Sequence, residues 1–332
     1  MSGPFFGDDQ PEPDERPAAI PDHARERLAG VAAGRVPFTS TLSANAFAAL
    51  RAADVRPVCQ VMGSSVYHVG WQITGWGRLN ALRNQGYGTY RPDGSRPGID
   101  RTTGLPLRLS WYGTPQELRT LGAAYNDARD RALARLSQEA LLAGADAVVD
   151  VEVVQHPFGG RRDVIEFRAM GTAVRAPGLR GDAGPAFVNL TGQDVGVLLR
   201  GGQRPVGLVT ATSAYLGTAS LDTVIELRSL TGKRWRNFEY AEFADAWAYA
   251  RNRALMHMRA QASDLGADGI IGIRWTQETR EQDIEDSDYR FPGLIYVVHA
   301  IGTAIAGPAA DGTPDVYTVM PMADRPGTQE AS

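Results

Sequence analysis

Transition metals are held by thiolates, imidazoles and carboxylates, which must converge at short range. This chain has one cysteine, Cys59, and five histidines: His23, His68, His156, His257 and His299. None stands in a Cys-x-x-Cys or His-x-x-x-His spacing. Cys59 and His68 fall on one predicted strand, and a straight strand of that length separates them by about 30 Å at about 3.3 Å per residue. They are the metal candidates. A buried thiol and a hydrogen-bonded imidazole are the plainer reading, and a site completed across subunits is the alternative. The acidic run Glu278, Glu281, Asp283, Glu285, Asp286 and Asp288 offers oxygen ligands to a hard cation. It lacks the spaced ligands and central glycine of a calcium loop, so a solvated hairpin tip is expected, its charge discouraging edge-to-edge pairing. No cofactor is predicted.

Signatures of catalysis are missing: there is no Gly-x-Ser-x-Gly, His-Glu-x-x-His, Gly-x-x-x-x-Gly-Lys or Gly-x-Gly-x-x-Gly. A non-catalytic protein is therefore expected. Catalytic groups are recognised by geometry rather than spacing, so an enzyme with a site between two domains is the remaining alternative. Residues 70–113 gather Trp71, Trp76, Tyr87, Tyr90, Trp111 and Tyr112 with Arg78, Arg83, Arg91 and Arg108 among many glycines and prolines. Aromatics and arginines on a long loop are material for a binding surface, and Trp71, Trp76, Arg78, Tyr87, Trp111 and Tyr112 are the candidates for a protein or small-molecule partner. The same loop could instead cover its own domain.

Composition bounds the class. The chain has 332 residues, 43% hydrophobic and 22% charged, which fits about two globular domains. A net charge of −4 supplies no basic field for nucleic acid. No apolar run reaches the length of a membrane span, so no membrane insertion is expected. The N-terminus lacks the basic head and apolar run of a signal peptide. With a single cysteine as well, a cytoplasmic location is expected.

The elements that must position these residues come in two copies. Arg131-Ala132-Leu133 and Gly144-Ala145-Asp146 recur 122 residues later as Arg253-Ala254-Leu255 and Gly266-Ala267-Asp268. Gly171-Thr172-Ala173-Val174 recurs 131 residues later as Gly302-Thr303-Ala304-Ile305, and Arg56-Pro57-Val58 recurs 148 residues later as Arg204-Pro205-Val206. A repeat of this length means two copies of one small domain. The boundaries read as an acidic, proline-rich tail over 1–21, expected to be disordered; a first domain over 22–175 carrying the 70–113 insertion; a linker over 176–185; a second domain over 186–306; and a disordered tail over 307–332.

Within each copy a strand is predicted over Pro57–Val69 and Pro205–Leu216. Short helices are expected before them, over 22–33, from a Ser43 cap, and within Phe187–Arg200. The long helix opens on Thr114-Pro115-Gln116-Glu117, which has the form of a capping box with proline at the first helical position. Leu118, Leu121, Tyr125, Ala128, Ala132, Leu136 and Ala140 continue it as one apolar stripe. Repeat two matches with Phe243, Trp247, Ala250, Ala254, Met258, Ala262 and Leu265. Gly144 and Gly266 end the helices. Asp146 and Asp268 follow, where a carboxylate bonds turn amides or faces an interface or ligand. Strands Ala147–Val154 with Val164–Val174, and Gly269–Thr276 with Leu294–Ile305, complete each unit. The fold class is α+β: two repeated units, each a small antiparallel sheet packed on one long helix. Such a sheet leaves a face to bury, so the repeats should pack together or oligomerise.

The run Ala-Arg-x-x-Ala-Leu, then Gly-Ala-Asp followed by apolar residues, then Gly-Thr-Ala resembles the YbjQ-like family, whose label is heavy-metal binding. Repeat one carries it in Ala128–Leu133, Gly144–Val151 and Gly171–Val174, and repeat two in Ala250–Leu255, Gly266–Ile273 and Gly302–Ile305. The resemblance spans roughly 55–175 and 204–306. It implies a dodecin-like fold and homo-oligomeric rings, commonly pentamers, without implying an activity. The family's Gly-Gly-Arg segment before the helix is reduced to Gly232-Lys233-Arg234 in repeat two and replaced by the insertion in repeat one.

Overall fold

The computed structural model describes residues 20–69, 112–157, 164–181, 184–228, 237–286 and 289–307. Helices α1 (Asp22–Ala32) and α2 (Ala44–Ala52) lead into strand β1 (Arg56–His68). Then come β2 (Gln116–Glu117), the long helix α3 (Arg119–Leu142), β3 (Ala147–Pro157) and β4 (Val164–Arg175). Repeat two brings β5 (Ala186–Phe187), α4 (Gly192–Arg200), β6 (Arg204–Thr218), α5 (Leu221–Arg228), the long helix α6 (Ala241–Asp264) and β7 (Gly269–Glu281). A small hairpin, β8 (Ile284–Asp286) and β9 (Tyr289–Phe291), precedes β10 (Gly293–Ala306).

The repeat offsets survive as geometry. Ser43 caps α2 by accepting from the Ala46 amide at 3.1 Å, and Thr191 caps α4 by accepting from Asp194 at 3.3 Å. Each hydroxyl satisfies an amide that has no partner within its helix. Gly144 and Gly266 take φ of 64° and 63°, the left-handed conformation that ends a helix without strain in glycine alone.

Two four-stranded sheets result, ordered β1-β4-β3-β5 and β2-β6-β10-β7 among the described residues. Helix α3 lies between them. Its alanines and Leu136 pack on sheet 1 through Cys59, Val61 and Phe167, while Ala214, Leu216, Ile295 and Val297 of sheet 2 join the same core. Small residues make that approach possible: a Cβ on Gly63 would lie 2.2 Å from the Ala132 carbonyl oxygen and 2.5 Å from the Leu136 nitrogen. Helix α6 covers the far face of sheet 2 through Ala250, Ala254 and Met258. The layers therefore run sheet 1, α3, sheet 2, α6. A separate cluster of Leu50, Val55, Val149, Val174, Val188 and Val195 joins α2 and α4 to the start of β3 and the end of β4.

Two expectations are corrected. The capping box does not form: Gln116 and Glu117 pair as a strand with Leu216 and Tyr215, and α3 starts at Arg119 with no side-chain cap. The backbone bonds offered by sheet 2 outcompete a local cap. The apolar stripe of repeat two is shifted, because Ala246 is buried while Trp247 and Leu265 are exposed. Within the expected linker, 176–185, Pro177–Leu179 forms a 3-10 turn before β5 joins sheet 1 in parallel with β3. The expected tails, 1–21 and 307–332, lie outside the described residues apart from Ile20, Pro21 and Gly307.

Gly63→Ala should destabilise the protein by about 2 kcal/mol or more, since the intruding methyl meets backbone that cannot rotate away. Urea unfolding measures it. A change below about 0.5 kcal/mol would show that α3 does not sit this close to β1.

Candidate functional site

A cavity of about 1060 Å³ lies between the repeats, where β3 and β4 of sheet 1 face β6, β7 and β10 of sheet 2 beside α3. Val151, Ile165 and Phe167 form the apolar wall. Opposite them, β7 turns Glu278 and Arg280 toward α3, since alternate residues of a strand share a face.

Glu278 organises this wall. Its carboxylate accepts from the Tyr125 hydroxyl at 3.1 Å, from the Gln155 amide at 3.0 Å and from Arg280 Nε at 2.5 Å. Arg280 also donates to the Tyr125 oxygen. Burial works against the Glu278 charge, but the Arg280 bond, with Gln155 and Tyr125, holds the carboxyl below its usual range. Burial, reinforced by Glu278, pushes the Tyr125 hydroxyl far up.

A second chain of bonds runs beside it. Asn126 Oδ1 accepts from the Thr212 amide at 2.9 Å and from Arg129 Nη1 at 2.7 Å. Arg129 Nη1 also reaches the Thr212 hydroxyl at 3.4 Å, and that hydroxyl lies 2.8 Å from His299 Nδ1. Arg129 is a donor only, so the Thr212 hydroxyl oxygen accepts from it, and the hydroxyl and Nδ1 share the remaining hydrogen bond. His299 Nε2 is shielded from water and has no hydrogen-bond partner among the described residues. Burial, opposed in part by Glu278, lowers the His299 pKa to about 4, so the ring is neutral at neutral pH. His299 sits between the Tyr125 and Phe167 rings at centroid distances of 5.4 and 5.9 Å.

The residues singled out from sequence lie elsewhere. Trp71, Trp76, Arg78, Tyr87 and Trp111 fall outside the described residues. Tyr112 is buried and stacks on Phe291 of repeat two at 3.7 Å, so it closes the core over the second repeat. Asp146 Oδ2 accepts from the Ala176 amide at 3.0 Å, and Asp268 Oδ2 accepts from Gly307 at 3.0 Å. Each carboxylate therefore ties the exit of the last strand of its repeat. Cys59 and His68 stand near opposite ends of β1; the thiol is buried, and burial raises its pKa despite Arg27 nearby. Among the described residues no three His, Cys, Asp or Glu side chains converge. Glu278 and Glu281 lie on β7 rather than in the expected acidic tip, and Glu278 faces the cleft.

Sequence reasoning missed Tyr125, Arg129, Glu278, Arg280 and His299 as a group. One signal was available: Tyr125 is the single polar-tipped residue in an otherwise apolar stripe, and a buried tyrosine hydroxyl needs a partner.

A two-domain α+β protein with the cleft between its repeats is the class that this geometry defines. The family model described as "Putative heavy-metal-binding" matches residues 114–177 and 202–307. An encapsulin nanocompartment protein of Mycobacterium tuberculosis is 31% identical over 290 residues, covering 86% of this chain and 92% of that protein. No solved structure matches. The chain belongs to the YbjQ family. No helix among the described residues is long and apolar enough to cross a membrane.

The buried imidazole sets a pH dependence. Its folded pKa of about 4 lies below the ordinary 6.5, so the unfolded state binds the proton more tightly. Its contribution is fully present above pH 6.5 and is lost as the pH falls toward 4, by up to about 3 kcal/mol. Denaturation of the wild type and His299→Phe between pH 7 and 4 reads the difference. Parallel pH profiles for the two proteins would contradict the assignment.

Proposed function

We propose that this chain is a non-catalytic binding protein and a subunit of a homo-oligomeric assembly, with a small ligand held in the cleft between its repeats. The observation that carries the binding half is the state of the cleft's ionisable groups. Glu278 and Arg280 neutralise one another, Tyr125 is held protonated and His299 is held neutral. None of these four is poised to give or take a proton near neutral pH, which general acid–base catalysis requires. A large cleft with apolar walls and a few fixed polar groups suits binding instead. The alternative of an enzyme with a site between the repeats has no such poised group among these four to recommend it.

The assembly half is supported by the relative, whose name joins it to an encapsulin nanocompartment. On that likeness we assign this chain to a compartment-forming or compartment-associated assembly in the cytosol, where one buried thiol stays reduced. Heavy-metal binding at subunit interfaces has the family's description in its favour and no cluster of ligands among the described residues. Apart from the buried Tyr112, the aromatic and arginine residues of the 70–113 stretch remain the proposed surface for a protein or small-molecule partner.

Native mass spectrometry of the full-length protein purified without chelators tests both halves. We expect a homo-oligomer carrying a substoichiometric or stoichiometric organic mass that Glu278→Ala loses. A strict monomer would contradict the assembly half, bare subunits the binding half, and one metal ion per chain would replace the organic ligand with the heavy-metal reading.

A further inference from the structure

Within one chain, repeat one already receives repeat two by a defined interface. The segment before α4 belongs to repeat two by spacing: Pro185, Leu190 and Thr191 stand 148 residues after Pro37, Leu42 and Ser43. It is also held alike, because the Asn189 amide donates to Thr303 Oγ1 at 3.1 Å as the Thr41 amide donates to Thr172 Oγ1 at 3.3 Å. Yet this arm pairs with the edge of repeat one. Ala186 and Phe187 run parallel to Ala147 and Val148, and the Asp150 and Val151 amides donate to the Leu190 and Val188 carbonyls at 3.0 and 2.9 Å. Beside the arm, the outward side of α3 lies on sheet 2, with Tyr125 and Asn126 bonded to Glu278 and Thr212.

Each half of that interface exists a second time and is wholly or partly exposed among the described residues, although Asn189 Nδ2 already donates to the Gly272 carbonyl at 2.8 Å. The counterparts of Asp150 and Val151 are Gly272 and Ile273 on β7, which pairs with β10 alone. The counterpart of Tyr125 is Trp247, whose indole N–H donates to Gln277 of β7 while the ring stays 36% exposed. At the other end of the chain, the arm of repeat one leaves Phe38 exposed by 49%, and the outer face of sheet 1 leaves Met62 and Val66 exposed by 47% and 54%. Paired edges and covered apolar faces are the rule in monomers that stay monomeric.

We propose that copies of this chain dock head to tail. The free β7 edge and the Trp247 side of α6 in one copy receive the 38–42 arm and the Met62–Val66 face of the next. The occupant is a second copy because the interface is continuous with the one inside the chain. The repeat offsets give its register: Gly269 opposite Phe38, Ile270 opposite Thr39, and the Gly272 and Ile273 amides donating to the Leu42 and Ser40 carbonyls. The arm is pre-ordered by Thr172, so little freedom is lost on docking. Such a contact is heterologous, joining two different surfaces, and closes into a ring or extends as a filament. This rests on the assembly half of the function proposed above and names its surface.

Two surface variants test it. Val66→Arg blocks the inserted face and Trp247→Asp blocks the receiving one; both sites are exposed, and unchanged melting temperatures check the fold. Native mass spectrometry should find each variant monomeric and their mixture a one-to-one heterodimer that grows no further, since one intact junction remains. A chain ending at Gly307 should assemble like the full chain. Wild-type protein that is monomeric overturns both this inference and the assembly reading. Wild-type assembly unaffected by either variant, or a mixture that stays monomeric, overturns this inference alone. Loss of assembly on truncation at Gly307, with the point variants silent, would give the β7 edge to the chain's own C-terminal stretch.

Discussion

Burial of one helix on both sides is the constraint on which the rest depends. Most surface helices bury one stripe and show the other to water. Helix α3 has sheet 1 on one side and sheet 2 on the other, and its residues are chosen accordingly. Ala128, Ala132 and Ala140 keep the sheet 1 side thin, and Gly63 opposite them lets backbone meet backbone. On the sheet 2 side a purely apolar contact would leave the β6 and β7 strands free to slide. Asn126 fixes them by bonding both the amide and the carbonyl of Thr212. Tyr125 fixes them again through Glu278, 153 residues away. Buried polar groups that are fully satisfied specify one arrangement of layers.

The cleft is a by-product of that arrangement. Two twisted sheets held together along one helix diverge beyond it, and the space opens between β3 and β7. Its floor is the bonding network that aligns the layers. This explains why the charges there are mutually compensated, and why a neutral imidazole whose Nε2 has no partner among the described residues is the group left unspent. The β-bulges of the two repeats differ in the same region. Gly272 takes a φ of 61° at no cost, while its counterpart Asp150 takes 54°, a strained value for a residue with a Cβ. The repeats have diverged where repeat one must accept the arm of repeat two.

Much of the architecture was legible in the sequence because repeats report themselves directly. The offsets of 122, 131 and 148 residues carry over to caps, helix-ending glycines and strand exits. Spacing cannot report which side of a helix meets a second layer. Trp247 stands on the same apolar stripe as Ala250 by periodicity, yet it is 36% exposed, because the described residues only partly cover that side. The capping box failed for a related reason: Thr114 to Glu117 is a sound local signal, overridden by the free β6 edge that Gln116 and Glu117 fill. The cleft was the least legible feature. Tyr125, Glu278 and His299 lie on three elements of two repeats, and only the packed layers bring them together.

The central claim is that the contact between repeats inside one chain recurs between chains. Hydrogen–deuterium exchange at the Gly272 and Ile273 amides of the assembled protein tests it most directly. In β3 the matching Asp150 and Val151 amides are bonded to the arm within the chain. The account predicts that the Gly272 and Ile273 amides are protected to a similar degree in the assembly and lose that protection on dilution to single chains. Rapid exchange at both amides in protein that remains fully assembled would contradict it.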